Sequence, residues 1–207
     1  MVAAPPGAGG VSRMVWNGHV FRRRLVTALC VAFACAGALR FATGATVPAK
    51  AVVAQILLER AFDRSIAAHA PQKPWPWADM APVARVGIKR LGVNRIVLDS
   101  GSGQAMAFGP TLLSGGARLG TPGVAVLAAH RDTHFRFLEQ VRAGELIDVE
   151  ALDGAVARYR VTGAKIVRWD RFAVADTPYR RLALSTCYPF GAVTGGPLRY
   201  VVYADEA

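Results

Sequence analysis

Short, regularly spaced runs of β-branched and apolar residues constrain the fold of this chain more than any other feature. From Ala84 onward glycine and proline separate runs typical of strands: GVAVLAAH (123–130), ELIDVE (145–150), ARYRVTGAKIVR (157–168), RLALSTC (181–187) and LRYVVYA (198–204). Before them, ARVGIKRLGVNRIVL predicts a hairpin that turns near Leu91-Gly92. Only DTHFRFLEQV (132–141) indicates a short helix. Many short strands with few helices predict a mainly β fold, a closed or nearly closed barrel.

The N-terminal region has a different composition and predicts a membrane segment. Arginines at 22–24 precede fifteen apolar or small residues, 25–39, and after Arg40 the apolar character continues to Val47. A membrane-spanning helix needs about 20 apolar residues, so residues 25–47 suffice if Arg40 reaches toward the outer headgroups. The basic cluster then stays in the cytoplasm, and the chain after the segment faces outward.

Two alternatives to an uncleaved anchor stay open. Ala42-Thr43-Gly44 is a tolerable cleavage context, so the segment could be a signal peptide. Cys35 is a candidate for lipid modification, although residues 32–34 match a lipidation box poorly. In each case the rest of the chain is exported.

These patterns divide the chain into four segments. They are a basic cytoplasmic N-terminus (1–24), a transmembrane signal-anchor (25–47), an amphipathic helix with a Pro/Trp linker (48–82) and the barrel (83–207). The helix is predicted over 49–69 from its apolar spacing, and four prolines between residues 71 and 82 mark the linker.

The charge of the chain argues against nucleic acid as a partner. The formal net charge is +11, of which residues 1–70 contribute +6 (eight Lys/Arg against two acids) and residues 71–207 contribute +5. The predicted barrel has no basic run with interleaved aromatic residues, the usual footprint of a nucleic-acid site.

Cys187 is the candidate functional residue with the most unusual position. It stands at the end of a predicted strand, directly before a Tyr-Pro-Phe-Gly turn. Cys30 and Cys35 lie in the apolar N-terminal run, so Cys187 is the only thiol of the predicted barrel and has no disulfide partner within it. A buried, inert cysteine is one interpretation. A thiol displayed at a strand end favours the other, a nucleophile.

A thiol nucleophile needs a base and a donor for the developing oxyanion. His130 ends a predicted strand, and two neighbouring strands that end at one rim would bring it to Cys187. Arg199 opens the last strand twelve residues after Cys187, a spacing that suits a strand, a loop and a returning strand. His130 and His134 lack the following glutamate and third ligand of a zinc site, so neither a metal nor another cofactor is expected.

Together these residues resemble the sortase family. LSTCYP resembles the T-x-T-C-Y-P end of the sortase nucleophile strand, AAHRDTHF its G-H-R motif and GPLRYVVYA its arginine strand, in the family's order. KPWPWADMAPVARV, AFGP and HRDTHFRFL are most similar to the sortase class of Gram-negative bacteria, class GN. The resemblance covers residues 48–204, with Ala129 and Ser185 in place of the usual glycine and threonine.

The resemblance implies an eight-stranded sortase barrel and cysteine transpeptidation. It makes Cys187 the nucleophile, His130 the acid and base, and Arg199 the residue that binds the oxyanion or orients the substrate. Asp132 and Thr186 are the expected supporting residues. Asp132 either orients a neighbouring Arg or His or, the favoured interpretation, caps a helix that begins at residue 133.

The implied substrate is an exported protein with an LPxTG-like C-terminal sorting signal. Members of the family cut such a signal after its threonine through a thioester and pass the acyl group to an amine, which the sequence does not identify. The implied location is the inner membrane, with a single span and the catalytic domain in the periplasm. The alternatives are a membrane-tethered binding barrel without chemistry and a periplasmic L,D-transpeptidase, whose His-Gly/Ser-Gly-Cys segment is missing here.

Overall fold

A computed structural model describes residues 12–100 and 102–207 of the chain, with side chains from residue 20 onward except at 39 and 41–49. The chain divides into two compact units, with the boundary between Lys50 and Ala51. The second unit contains the barrel and the candidate site.

One long helix, α1, covers Ser12–Ala68. It includes the predicted signal-anchor 25–47 and confirms a helix over most of 49–69. In the part of the chain that the structure describes, no helix combines the length and apolar character needed to cross a membrane. The transmembrane segment therefore stays a prediction. Residues 1–11 of the predicted cytoplasmic N-terminus, and the side chains of 41–47 in the anchor, lie outside the described residues.

Eight strands form a closed barrel, which confirms the mainly β, eight-stranded part of the predicted fold class. The strands are β1 (Pro82–Ile88), β2 (Val93–Leu98), β3 (Thr111–Leu112), β4 (Gly123–Ala128), β5 (Leu146–Ala151), β6 (Val156–Arg168), β7 (Arg180–Tyr188) and β8 (Leu198–Glu206). Around the barrel their order is β1-β2-β3-β4-β7-β8-β6-β5, and β5 closes onto β1. Short helices connect them: α2 (Gly103–Met106) and 3-10 turns at Lys89–Leu91, Arg136–Gln140 and Trp169–Arg171.

The predicted hairpin is present as β1 and β2, which pair antiparallel. Gly92 lies between them with a φ of 60°, a left-handed conformation that glycine adopts without steric cost. The helix predicted over 132–141 is instead a turn followed by the short 3-10 helix at Arg136–Gln140. Phe135 and Phe137 are both buried and meet edge to face, with ring centroids 5.6 Å apart, so packing in the core overrides helical periodicity here.

The barrel interior and its outer faces bury separate apolar clusters. Alternate residues of the strands fill the interior, among them Leu182 and Leu184 of β7. On the outside of β4, β7 and β8, a smaller cluster contains Val126, Ala183 and Val201. Since side chains of a strand alternate between its two faces, the even-numbered residues of β7 point inward and the odd-numbered ones outward.

The C-terminal part of α1 packs on another outer face of the barrel. Leu58 and Phe62 are fully buried there, in a cluster completed by Met80, Ile96, Leu98 and Ala105. Arg85 of β1 lies over the Phe62 ring, 4.5 Å from its centroid, and pairs with Glu59 at 2.8 Å and Glu150 at 2.7 Å. The sequence analysis assigned this helix to the segment before the barrel; in the structure it belongs to the barrel's own compact unit, which begins at Ala51.

We expect a protein of residues 71–207 to melt on the order of 10 °C below one of residues 51–207. Burial of Leu58 and Phe62 contributes roughly 1.5–3 kcal/mol each, and about 1 kcal/mol shifts the melting temperature of a unit of this size by ~2–4 °C. Circular dichroism melts of both proteins measure this difference. Val53→Ser, at an exposed position of the same helix, is the matched control and should leave the melting temperature unchanged. Equal melting temperatures for the two lengths would show that the helix does not support the barrel.

Candidate active site

Strands β4 and β7 bring His130 and Cys187 to the same rim of the barrel. The two strands are adjacent and parallel, with Ala128 paired with Ser185 at the end of their register. Just beyond, the Ala129 amide donates to the Ser185 carbonyl at 3.3 Å. Both chains continue from this end of the ladder, β7 to Cys187 and the segment after β4 to His130, so the register extended by two residues predicts His130 beside Cys187. The prediction that these strands are neighbours that end at one rim is confirmed.

Arg199 lies beside Cys187 on β8, the strand that pairs with β7 on the edge opposite β4. Strands β7 and β8 pair antiparallel, with Cys187 directly opposite Arg199. Directly opposite residues point to the same face of a sheet, which here is the outer face that carries Ala183 and Val201. The structure therefore brings the three predicted site residues together at one end of an outer surface. Cys187 is a free, half-buried thiol, and His130 is exposed.

The guanidinium of Arg199 binds backbone carbonyls next to the site. Its Nη1 donates to the carbonyls of Gly196 at 2.8 Å and Leu198 at 2.9 Å. An arginine has five N–H donors in a planar fork, and these two bonds use only the Nη1 pair. These bonds hold the Nη1 group of Arg199 against the backbone at the end of the β7–β8 loop.

Thr186 locks the backbone immediately before the candidate cysteine and histidine. Its hydroxyl donates to the Ala129 carbonyl at 2.8 Å, and both residues are buried. Thr186 precedes Cys187, and Ala129 precedes His130. One hydrogen bond therefore connects the backbone segments that lead to the two candidate residues. Thr186 points inward, so its place in the structure is beneath the site and not in contact with the outer face.

Asp132 pairs with Arg131 and caps no helix. The Nε and Nη2 groups of Arg131 donate to the two carboxylate oxygens of Asp132 at 2.8 and 2.9 Å. Residues 131–135 form a turn, and the 3-10 helix that follows has Phe135 at its N-cap without a side-chain cap. The favoured capping role was wrong, because the buried Arg131 takes the carboxylate instead. The hydrogen bonds from Arg131 also hold the pKa of Asp132 below its usual value.

His134, the second histidine of the barrel, fastens the loop after His130 to the turn after α2. Its Nε2 lies 3.2 Å from the Ala107 carbonyl. Burial lowers the pKa of His134, with smaller contributions from the charges of Arg95 and His130. A neutral ring with its proton on Nε2 is the donor that this carbonyl requires.

Arg131 is the site residue that the sequence reasoning did not single out. Besides Asp132, it binds the carbonyls of Pro189, at 2.8 Å, and of Ala192, both in the loop that follows Cys187. Its place directly after His130 in the G-H-R-like motif was visible in the sequence. Its burial was not, because the carbonyls that it binds in the loop after Cys187 are 58 and 61 residues away in the sequence.

Comparisons with known proteins agree on one family. A model of the family described as the sortase domain matches residues 86–207. Sortase D of Bacillus subtilis (strain 168) is 34% identical over 86 residues, 41% of this chain and 43% of that protein. The chain thus matches less than half of the length of this curated relative.

Solved structures of sortases share the fold. Sortase A from Corynebacterium diphtheriae has a TM-score of 0.56 at 21% identity, covering 63% of this chain and 63% of that chain. Sortase C from Clostridium perfringens SM101 has a TM-score of 0.54 at 17% identity, covering 76% of this chain and 89% of that chain. At such identities the likeness concerns the fold alone.

Thr186→Val should destabilise the barrel by about 1–3 kcal/mol, because it leaves the buried Ala129 carbonyl without its donor. In a unit of this size that corresponds to a fall in melting temperature of roughly 3–10 °C. Thr186→Ser keeps the hydroxyl and is the matched control, with less than half of the loss. Thermal melts of both variants check this, and an unchanged melting temperature for Thr186→Val would show that the bond contributes nothing.

Asp132→Asn should leave the pH dependence of the site unchanged between pH 5 and 9. The hydrogen bonds from Arg131 hold the pKa of Asp132 below its usual value, so its contribution to stability is present above that usual value and is lost only as the pH falls through the lowered one. Loss of an exposed ion pair should lower the activity by about two- to fivefold at every pH in this range. A shift of the acid limb in the pH–rate profile would contradict this assignment.

Proposed function

The chain belongs to the sortase family, and we propose that it is a cysteine transpeptidase that cleaves an LPxTG-like C-terminal sorting signal and transfers the acyl group to an amine. The observation that carries the proposal is the common position of three side chains. Its support is that Cys187 and Arg199 are directly paired in β7 and β8, and that His130 follows β4 at the rim where β7 presents Cys187. The family match does not favour the alternatives of a binding barrel without chemistry or an L,D-transpeptidase.

In the first half of the proposed reaction, the Cys187 thiol passes its proton to His130, and its sulfur attacks the carbonyl carbon of the signal's threonine. The carbonyl π electrons move to oxygen, and the N–H donors of Arg199 stabilise the resulting oxyanion. As the oxyanion collapses, the peptide C–N bond breaks, and His130 gives a proton to the departing amine. The products are a thioester on Cys187 and the released C-terminal segment of the substrate.

In the second half, an amine replaces the sulfur. His130, now neutral, accepts the proton of the attacking amine, and Arg199 again stabilises the oxyanion. The C–S bond breaks, and the sulfur of Cys187 leaves. The exposed position of His130 suits both halves, since the departing and the arriving amine have to reach it from solvent.

The outer surface of β4 offers a place for the apolar residues of the sorting signal. A cavity of about 550 Å³ lies between the β3–β4 connection, Val126 and the loop residues Phe172 and Val174. Val126 of β4 lies four residues before His130, a separation of about 13 Å along an extended chain. An extended peptide of four residues covers that distance, so a signal seated in the cavity reaches the cysteine.

We also propose attachment to the inner membrane through residues 25–47, with the catalytic unit in the periplasm, and membership of class GN. The support for the anchor is the arginine cluster at 22–24 followed by an apolar run. The support for the class is the similarity of the segments that flank the three site motifs.

The full-length protein in detergent should cleave members of an LPxTG-like peptide library, with the products identified by mass spectrometry. Cys187→Ala should abolish cleavage, because the thiol forms the covalent bond, and His130→Ala should lower it by at least about 100-fold. Cys35→Ser and His69→Asn are the matched controls at exposed positions and should keep full activity. Cleavage retained in Cys187→Ala would overturn the proposed mechanism.

A further inference from the structure

Arg131 holds a position that the proposed chemistry does not by itself explain. Among the residues that the structure describes, it is the charged residue that is buried as a whole, backbone and side chain together, with 6% of its surface exposed. Burying a charge is costly unless the group is paired and hydrogen-bonded. Arg131 directly follows His130. The free-energy cost of burying its charge and its hydrogen bonds therefore both concern the loop that carries the histidine.

The guanidinium of Arg131 joins two loops. Toward its own loop it donates two bonds to Asp132. Toward the β7–β8 loop it donates from Nη1 to the Pro189 carbonyl at 2.8 Å and from Nη2 to the Ala192 carbonyl. Four of its five N–H donors are therefore used. Pro189 is the second residue after Cys187, so the bonds connect the segments that leave the histidine and the cysteine.

Hydrogen bonds hold the backbone on both sides of the two candidate catalytic residues, His130 and Cys187. Below the pair, the Thr186 hydroxyl ties the residue before Cys187 to the residue before His130. On the other side of the pair, Arg131, the residue directly after His130, binds the loop that follows Cys187. Residues 189–197 contain no regular strand or helix. The hydrogen bonds from Arg131 therefore help to determine where this loop lies, together with the packing of Phe190 on Tyr188 and Tyr200 and the bond from the Trp169 amide to the Pro197 carbonyl.

We propose that Arg131 is a positioning residue that fixes the separation of the Cys187 thiol and the His130 imidazole. It does so by holding the β7–β8 loop (189–197) to the segment after β4 (129–135) that carries His130. The inference rests on the proposed function, since it takes the two side chains to react together. Arginine suits this role because its rigid planar fork presents donors in several fixed directions at once. Lysine would keep the charge without this geometry.

Electrostatics agree with this placement of the guanidinium. The hydrogen bond to Asp132 raises the pKa of Arg131, and the charge of a Cys187 thiolate raises it further. Arg131 is therefore within electrostatic range of the sulfur as well as bonded to its loop. Arg199 lies opposite Cys187 in the β7–β8 pairing, and the titratable side chains of Tyr188 and Tyr200 belong to the neighbouring residue pairs.

The test compares two substrates with the same acyl segment in the full-length protein in detergent. One is a peptide, whose amine leaving group needs a proton from His130. The other is its nitrophenyl ester, whose leaving group departs without one. The release of the leaving group in a single turnover reports the first half of the reaction alone. There a misplaced imidazole slows the peptide much more than the ester, whereas a general loss of folded protein slows both equally. The ratio of the ester rate to the peptide rate therefore separates positioning from structural support.

We expect Arg131→Lys and Arg131→Met to lower kcat for the peptide by about 30–100-fold, since a displacement of about 1 Å costs on the order of 100-fold. The KM should stay within about threefold, and the ester-to-peptide ratio should rise at least about tenfold. Arg136→Met, at an exposed arginine of the same segment, is the matched control and should leave the ratio within twofold of the wild type.

Equal losses for both substrates, or no loss, would overturn the inference. If the Arg131 variants do not fold, Asp132→Asn provides the test, because it loosens the fork from an exposed position. It should raise the ratio by about two- to fivefold, and an unchanged ratio would overturn the inference. Failure of the proposed function shows separately, as a wild-type protein that cleaves neither substrate, and overturns both.

Discussion

The parallel pairing of β4 with β7 is the constraint on which the rest of the site depends. Six residue pairs, from Gly123 with Arg180 to Ala128 with Ser185, align the two strands so that both end at one rim. For that reason His130 and Cys187, far apart in the sequence, follow the two strands at the same rim. The antiparallel return of β8 then adds Arg199 on the same face. A slip of one residue in either register would turn one of these side chains to the opposite face.

The site combines a fixed backbone with open side chains. Thr186 and Arg131 hold the chain on either side of the candidate pair, while His130 itself is exposed and Cys187 half-buried. The proposed transpeptidation needs this combination, because a polypeptide substrate and an amine acceptor would both arrive from solvent. Preorganisation of the reacting groups lowers the barrier without any cost at the moment of reaction. The end of α1 packs on a different outer face of the barrel and stabilises it there.

Local pattern made much of this fold predictable. The alternation of apolar residues indicated the long strands, and the spacing of Cys187 and Arg199 indicated their opposition. Elements that depend on distant contacts were not accessible: β3 has two residues and α2 four, too few to show a period. The capping role of Asp132 was wrong because the burial of Arg131 is a tertiary effect. The amphipathic pattern of residues 49–69 indicated a helix but not the barrel face that covers it.

A structure of the protein with a peptide ketone inhibitor bound covalently to Cys187 tests the central claim most directly. The account predicts a hemithioketal whose oxygen lies about 3 Å from an N–H donor of Arg199, with the His130 imidazole on the side where the leaving amine would be. Pro189 and Ala192 should remain bonded to Arg131. An adduct on Cys187 with His130 and Arg199 both beyond hydrogen-bonding reach of the inhibitor would contradict the account.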